Sequence, residues 1–157
     1  MRFFRKYQLQ RSVITRLRLQ DAAALAEVHA NSFIRPWSRG DFETMLGVAT
    51  NTAYGMKIGR RLIAFLLLRF AADEAEVLTL ATHRAFQKLG CGEKLMGHGF
   101  GQSMAQGARY MHLEVESNNR AAVKLYEKLG FRETGRRGHY YAPSGGGDAI
   151  LMSRELV

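Results

Sequence analysis

Apolar and polar positions along the chain alternate in two rhythms, one close to two residues and one close to three and a half, and these predict short strands and helices in turn. Ile14-Thr15-Arg16-Leu17-Arg18-Leu19 alternates as a half-buried strand. Gln20-Asp21 caps a helix over residues 22–30 with Leu25 and Val28 facing inward, and Ser38 caps a second, shorter helix carrying Phe42 and Met45. Strands follow around residues 53–58 and 62–70, turned at Gly59-Arg60, and Ala71-Ala72-Asp73-Glu74 leads into a third, residues 77–82. A helix over 93–106 presents Met96, Phe100 and Met104 at four-residue spacing as an inward stripe, and Gly107 ends it. The next strand, Tyr110 to Glu116, places Met111, Leu113 and Val115 on one face and His112, Glu114 and Glu116 on the other. Asn118 or Asn119 then caps a helix whose Ala122, Leu125, Tyr126 and Leu129 share a face, closed by Gly130. Residues 131–136 and 149–153 form a closing hairpin around a long loop.

Strand 77–82, helix 93–106 and strand 110–116 make a β-α-β unit, so the two strands are predicted to be parallel with a right-handed crossover. The fold class is therefore α/β, and the residues following strand 77–82 share a sheet rim with the end of strand 110–116 at Glu116. At that rim stands Gln87-Lys88-Leu89-Gly90-Cys91-Gly92. A glycine-rich turn running into a helix N-terminus makes an anion site, because first-turn N–H groups lack partners and the helix dipole adds positive charge. No Lys-Ser/Thr follows the second glycine and Gly-x-Gly-x-x-Gly is not completed, so neither nucleotide motif is present. The expected anion is a diphosphate held by main chain. Glycines in such a place also serve as plain turn residues, so the loop needs support from the rest of the chain.

Composition sets the remaining limits. A chain of 157 residues with 46% apolar and 24% charged residues suits one domain with its own core. No apolar run reaches the roughly 20 residues of a membrane span and the N-terminus lacks a signal-like apolar core, which predicts a cytoplasmic protein. One cysteine, with histidines at 29, 83, 98, 112 and 139 in no ligand spacing, predicts no metal. The net charge of +9 asks for an acidic partner. The cations are dispersed and no RNA-binding motif occurs, so nucleic acid is not expected as the direct substrate. Residues 1–12 hold Arg2, Arg5, Lys6 and Arg11 and no acid, a basic extension expected to be poorly ordered unless it works as a ribosome-contacting arm or targeting segment.

Gln87-x-x-Gly90-x-Gly92, preceded by Val77-Leu78-Thr79-Leu80 and followed by Leu113-Glu114-Val115-x-x-x-Asn119-x-x-Ala122-x-x-Leu125-Tyr126-x-x-Leu129-Gly130-Phe131, resembles the GCN5-related N-acetyltransferase (GNAT) family over residues 13–155. The resemblance implies one catalytic domain over 13–157, with a mixed central sheet of about six to seven strands flanked by about four helices. It implies acetyl-CoA as co-substrate, its diphosphate on the backbone of Gln87, Lys88, Leu89, Gly90, Cys91 and Gly92, and its pantetheine arm beside Leu78, Thr79 and Leu80 near Asn119. It also assigns Glu114 as general base, through water, and Tyr126 as general acid toward the departing thiolate. Phe33-x-x-Pro36-Trp37-Ser38, Arg137-x-x-Tyr140-Tyr141 and Asp148-Ala149-x-x-Met152 are similar to the bacterial members that acetylate the N-terminal alanine of ribosomal protein S18. That similarity implies a protein N-terminus as acceptor, S18 by this reading, with Trp37, Tyr140 and Tyr141 lining its cleft. The chain departs from the family pattern in the connector Ala81-Thr82-His83-Arg84-Ala85-Phe86, at Ala64, and in the basic extension.

The assigned chemistry suits the residue types. An N-terminal amine, with a reference pKa near 8, must lose a proton before it attacks the thioester, and a carboxylate can accept it. A tyrosine, near 10, still carries its proton when a thiolate near 8.5 departs. Each residue also has a plainer role: Glu114 as a surface carboxylate paired with His112 or a cation, Tyr126 as core, Asn119 as a cap, Trp37 as packing, Tyr140 and Tyr141 as hairpin residues. Cys91 offers an acetyl-cysteine route, although it stands in the phosphate loop, so direct transfer is expected. Transfer to a lysine or a small amine, and CoA binding without catalysis, remain as alternatives.

Overall fold

The computed structural model describes residues 1–138 and 147–157. Its elements are α1 (Arg2–Leu9), β1 (Val13–Leu17), α2 (Ala22–Ser32), α3 (Arg39–Leu46), β2 (Asn51–Ile58), β3 (Arg61–Ala71), β4 (Glu74–Thr82), α4 (Cys91–Ala105), β5 (Tyr110–Glu116), α5 (Arg120–Lys128), β6 (Arg132–Arg137) and β7 (Ala149–Glu155). Single 3-10 turns, Leu19–Asp21 and Arg84–Phe86, precede α2 and the glycine loop. The seven strands follow the order β1-β2-β3-β4-β5-β7-β6. As the β-α-β reading predicted, β4 and β5 are parallel, while β1–β2, β2–β3, β5–β7 and β6–β7 are antiparallel.

Two compact units share this sheet's strands, residues 1–69 with 78–99, and 70–77 with 100–157. In the first, α2 and α3 supply Leu25, Val28 and Phe42, all buried against Leu17, Ala53, Leu62, Phe65, Leu67 and Ala81. Each such side chain stabilises by about 1.5–3 kcal/mol through burial alone. The capping box on α3 is complete: Asp41 N–H donates to Ser38 Oγ at 3.1 Å and Ser38 N–H to Asp41 Oδ2 at 2.8 Å. Gly99 lets α4 approach β3, since a Cβ there would lie 2.6 Å from Leu66 Cδ2. In the second unit Met111, Leu113 and Val115 of β5 are buried and His112, Glu114 and Glu116 are half-exposed, the alternation the sequence predicts. Arg154 closes the end of α5, donating to Leu129 O at 2.7 Å while its guanidinium lies over Phe100 at 4.1 Å.

Three expectations need correction. Residues 2–9 are helical rather than a loose tail, with Leu9 buried as the anchor and helix-favouring Arg, Lys, Gln and Leu along its length. Met104 is 44% exposed, because a strict four-residue repeat drifts about 40° per step around a 3.6-residue helix. The buried stripe of α4 is instead Leu95, Met96, Gly99, Phe100 and Ser103. The same helix begins at Cys91, two residues earlier than expected, so Cys91 and Gly92 belong to its first turn.

Candidate active site

The glycine loop is built by backbone conformation. Gly90 has φ +90° and accepts from Lys94 N–H at 3.1 Å, which makes it the residue that opens α4. The helix starts at Cys91, so its first-turn N–H groups stand ahead of the i→i−4 ladder and are turned toward the loop end of α4. Lys88 holds the left-handed conformation, φ +60°, which costs a non-glycine residue about 1–2 kcal/mol. An anion placed here would meet main-chain donors and a positively charged residue whose backbone is held against its preference. Gln87 points elsewhere: its Nε2 donates to Thr82 O at 3.1 Å and ties the connector to the end of β4. A cavity of about 380 Å³ lies beside the loop, lined by Leu89, Gly90, Cys91, Glu93 and Lys94 together with Leu9, Ser12 and Met56. We expect Gly90→Ala to destabilise the fold by about 1–2 kcal/mol through its positive φ and to raise the KM for acetyl-CoA, leaving kcat nearly unchanged. Unaltered KM in steady-state assays would count against the loop as the anion site.

The Cys91 thiol is buried, donates to Phe86 O at 3.6 Å, and is pushed up in pKa by that burial, with Lys94 opposing. These surroundings suppress the thiolate that an acetyl-cysteine route requires.

On the other side of the loop sequence, β4 delivers Thr79 inward to His29 of α2. The His29 ring is 3% exposed. Its Nδ1 accepts the Trp37 N–H at 3.0 Å, which leaves Nε2 to carry the proton of the neutral ring and donate to Thr79 Oγ1 at 3.2 Å. Phe33 and Trp37 stack on the ring at centroid distances of 4.2 and 5.3 Å, and the Phe42 edge stands at 5.4 Å. Burial drives the pKa of His29 down to about 4. One buried neutral imidazole therefore fixes the segment from Phe33 to Trp37 against β4. His29 escaped the sequence reading, yet a signal existed: it sits one residue after Val28 and four after Leu25 on the inward face. Of the expected pantetheine segment, Thr79 turns its side chain to His29, while Leu78 and Leu80 are half-buried.

In the second unit Glu114, half-exposed on β5, pairs with Arg137 of β6. His112 Nε2 lies 3.4 Å from Glu74 Oε1. Glu76, His112, Leu113, Glu114, Thr134, Leu151 and Met152 line a cavity of about 210 Å³. Arg137, quoted in the sequence only as part of a likeness, is thus the residue that orients the expected base. Tyr126 of α5 is buried, its ring edge-on to Phe131 at 5.7 Å, and burial raises its pKa to about 12. Asn119 Oδ1 caps α5 by accepting Ala122 N–H at 3.2 Å. Tyr140 and Tyr141 lie outside the described residues. No cluster of His, Cys, Asp and Glu suited to a metal occurs among the described residues, and no helix among them is long and apolar enough to cross a membrane.

Comparison with known proteins gives these parts a common frame. Residues 22–131 match the acetyltransferase (GNAT) family. The [ribosomal protein bS18]-alanine N-acetyltransferase of Salmonella typhimurium is 32% identical over 145 residues, covering 90% of this chain and 96% of that one. The Escherichia coli protein of the same name is 30% identical over 143 residues with the same coverage. The crystal structure of the ribosomal-protein-S18-alanine N-acetyltransferase from Escherichia coli superposes with a TM-score of 0.86 at 29% identity, covering 92% of this chain and 94% of that one. Arabidopsis thaliana NAA60 in complex with acetyl-CoA, at 17% identity and TM-score 0.79, shares the fold over 92% of this chain and 98% of its own. With residues 22–131 matching the family and near-full-length relatives of 30–32% identity, the chain belongs to the GNAT family and is an acetyl-CoA-dependent N-acetyltransferase.

Proposed function

We propose that this enzyme acetylates the N-terminal amine of a protein, with the N-terminal alanine of ribosomal protein S18 as its acceptor. The observation that carries this reading is the near-full-length likeness to enzymes of that name. It is supported by the buried His29 that holds the Phe33–Trp37 segment, the stretch proposed as a wall of the acceptor cleft with Tyr140 and Tyr141. Residues 13–157 are proposed as the catalytic domain and the cytoplasm as its site of work.

In this reading the first-turn N–H groups of α4 and the loop Gln87–Gly92 hold the diphosphate of acetyl-CoA, the main chain of Leu78–Leu80 and Asn119 guide its pantetheine arm, and its thioester supplies the acetyl group. Glu114, through water, takes one proton from the ammonium of the acceptor. The freed amine attacks the carbonyl carbon; the C–N bond forms, the C–S bond breaks with its electron pair leaving on sulfur, and the second proton of the attacking nitrogen passes to water, which leaves a neutral amide and the CoA thiolate. Arg137 holds the Glu114 carboxylate in orientation and must share it with the incoming proton. Tyr126, protonated at every working pH, donates a hydrogen bond to that sulfur. With the phenol near 12 and a thiol near 8.5, the proton lies closer to oxygen, so Tyr126 stabilises the leaving charge as a donor.

The test is thiol release from acetyl-CoA with three peptides: one starting Ala-Arg, the same peptide with a blocked N-terminus, and a blocked peptide containing lysine. Turnover with the first alone is expected. Turnover with the blocked lysine peptide, or none with any while acetyl-CoA binds, would replace the proposal with side-chain transfer or with binding alone.

A further inference from the structure

Helix α1 turns its aromatic residues outward. Phe3 and Phe4 are 88% and 62% exposed and Tyr7, one turn on from both at i+4 and i+3, is 54% exposed. Lys6, exposed and three residues on from Phe3, borders that face, while Arg2, also exposed, falls on the side of Leu9 at the helix start. Arg11 lies over the Tyr7 ring at 5.3 Å and donates to its hydroxyl at 3.2 Å. The opposite side is anchored, with Leu9 buried.

A second group of cations adjoins from other parts of the same unit. Arg61 of β3 reaches to within 3.4 Å of His83 Nε2 and lies over the Phe86 ring at 5.6 Å. Arg84, exposed on the same connector, donates its N–H to Asn31 Oδ1 at 2.6 Å, and α1 meets the glycine loop that follows across a cavity lined by Leu9, Leu89 and Gly90. Exposed aromatic rings interleaved with cations, in a segment without a single acid, fit a polyanion that also offers flat stacking surfaces. We propose that α1, with Arg61 and Arg84, is a docking surface for single-stranded or looped RNA, which brings the enzyme to RNA-bound acceptors. Its purpose rests on the acceptor proposed above, but its chemistry does not. An anionic membrane is the weaker fit, because a helix of eight residues is only about 12 Å long and offers three rings for insertion.

The experiment is fluorescence anisotropy of the full chain with a labelled single-stranded RNA of about twelve nucleotides, with and without saturating CoA, across a salt series. With Arg2, Lys6, Arg61 and Arg84 engaged, log K should fall with log salt at a slope of about −3. Phe3→Ser with Tyr7→Ser, and separately Arg2→Glu with Lys6→Glu, should each weaken binding tenfold or more while peptide acetylation is unchanged. Absence of salt-dependent RNA binding, binding unaffected by both pairs, or displacement of RNA by CoA would overturn the proposal. So would affinity for phosphatidylglycerol vesicles in sedimentation without affinity for RNA. If RNA binds as described and no peptide is acetylated, the acceptor proposal has failed and this one stands.

Discussion

Tyr126→Phe is expected to lower kcat by roughly 10²–10³-fold, the usual cost of removing one donor to developing negative charge, with little change in the KM for either substrate. The substitution keeps the ring, its edge-on contact with Phe131 and the buried face of α5, and removes only the hydroxyl. Because burial holds that hydroxyl protonated to about pH 12, the wild-type rate should show no downward limb at pH 9–10 from an ordinary phenol. Glu114→Gln should reduce kcat by a similar factor, and the loss should shrink as pH rises and the acceptor amine deprotonates in solution. Stopped assays of thiol release from pH 6.5 to 10 check all of this. If both variants retained near-normal kcat with intact circular dichroism, the assignment of proton acceptor and sulfur donor would be wrong.

The second large effect is a loss of stability in acid. His29 has a folded-state pKa near 4 against about 6.5 in the unfolded chain, so the unfolded state binds the proton more readily. Above pH 6.5 both states are neutral and the native contacts count in full. As pH falls from 6.5 to 4 this one residue withdraws about 3 kcal/mol, after which both states are charged. The groups packed on the ring are Phe33, Trp37, Phe42, Phe65 and Thr79, none of which can compensate a charge. Urea unfolding at pH 7.5 and 4.0, compared with His29→Gln, isolates this contribution, since the variant lacks the titrating ring and should have a shallower acid slope. The same variant should raise the KM for the acceptor peptide more than that for acetyl-CoA, because Trp37 loses its buried acceptor. Equal acid slopes would remove His29 from this role.

The alternation of β5 was legible because one of its faces is buried and the other is not, so periodicity alone put Glu114 opposite Leu113 and Val115. Gly90 and Asn119 were legible for local reasons: a positive φ and a free side-chain oxygen at a helix start need only their immediate neighbours. The glycine loop, β5 and α5 could therefore be named in order along the chain, and the family likeness supplied their chemistry.

Local pattern could not say which partner a polar side chain would find across the fold. His29 meets Thr79 fifty residues away, and Glu114 meets Arg137 twenty-three residues away. Met104 illustrates the same limit, since its spacing matched a core stripe while the helix's true period turned it to solvent. The basic first residues are helical because Leu9 finds a buried place, lining one cavity with Met56 and Leu89, a placement no windowed reading of residues 1–12 contains. Sequence alone determined the elements from β1 onward and the residue types that carry the chemistry; tertiary structure decided that the first residues are helical and which side chains are buried, paired and held neutral, because desolvation and long-range hydrogen bonds exist only once distant segments meet.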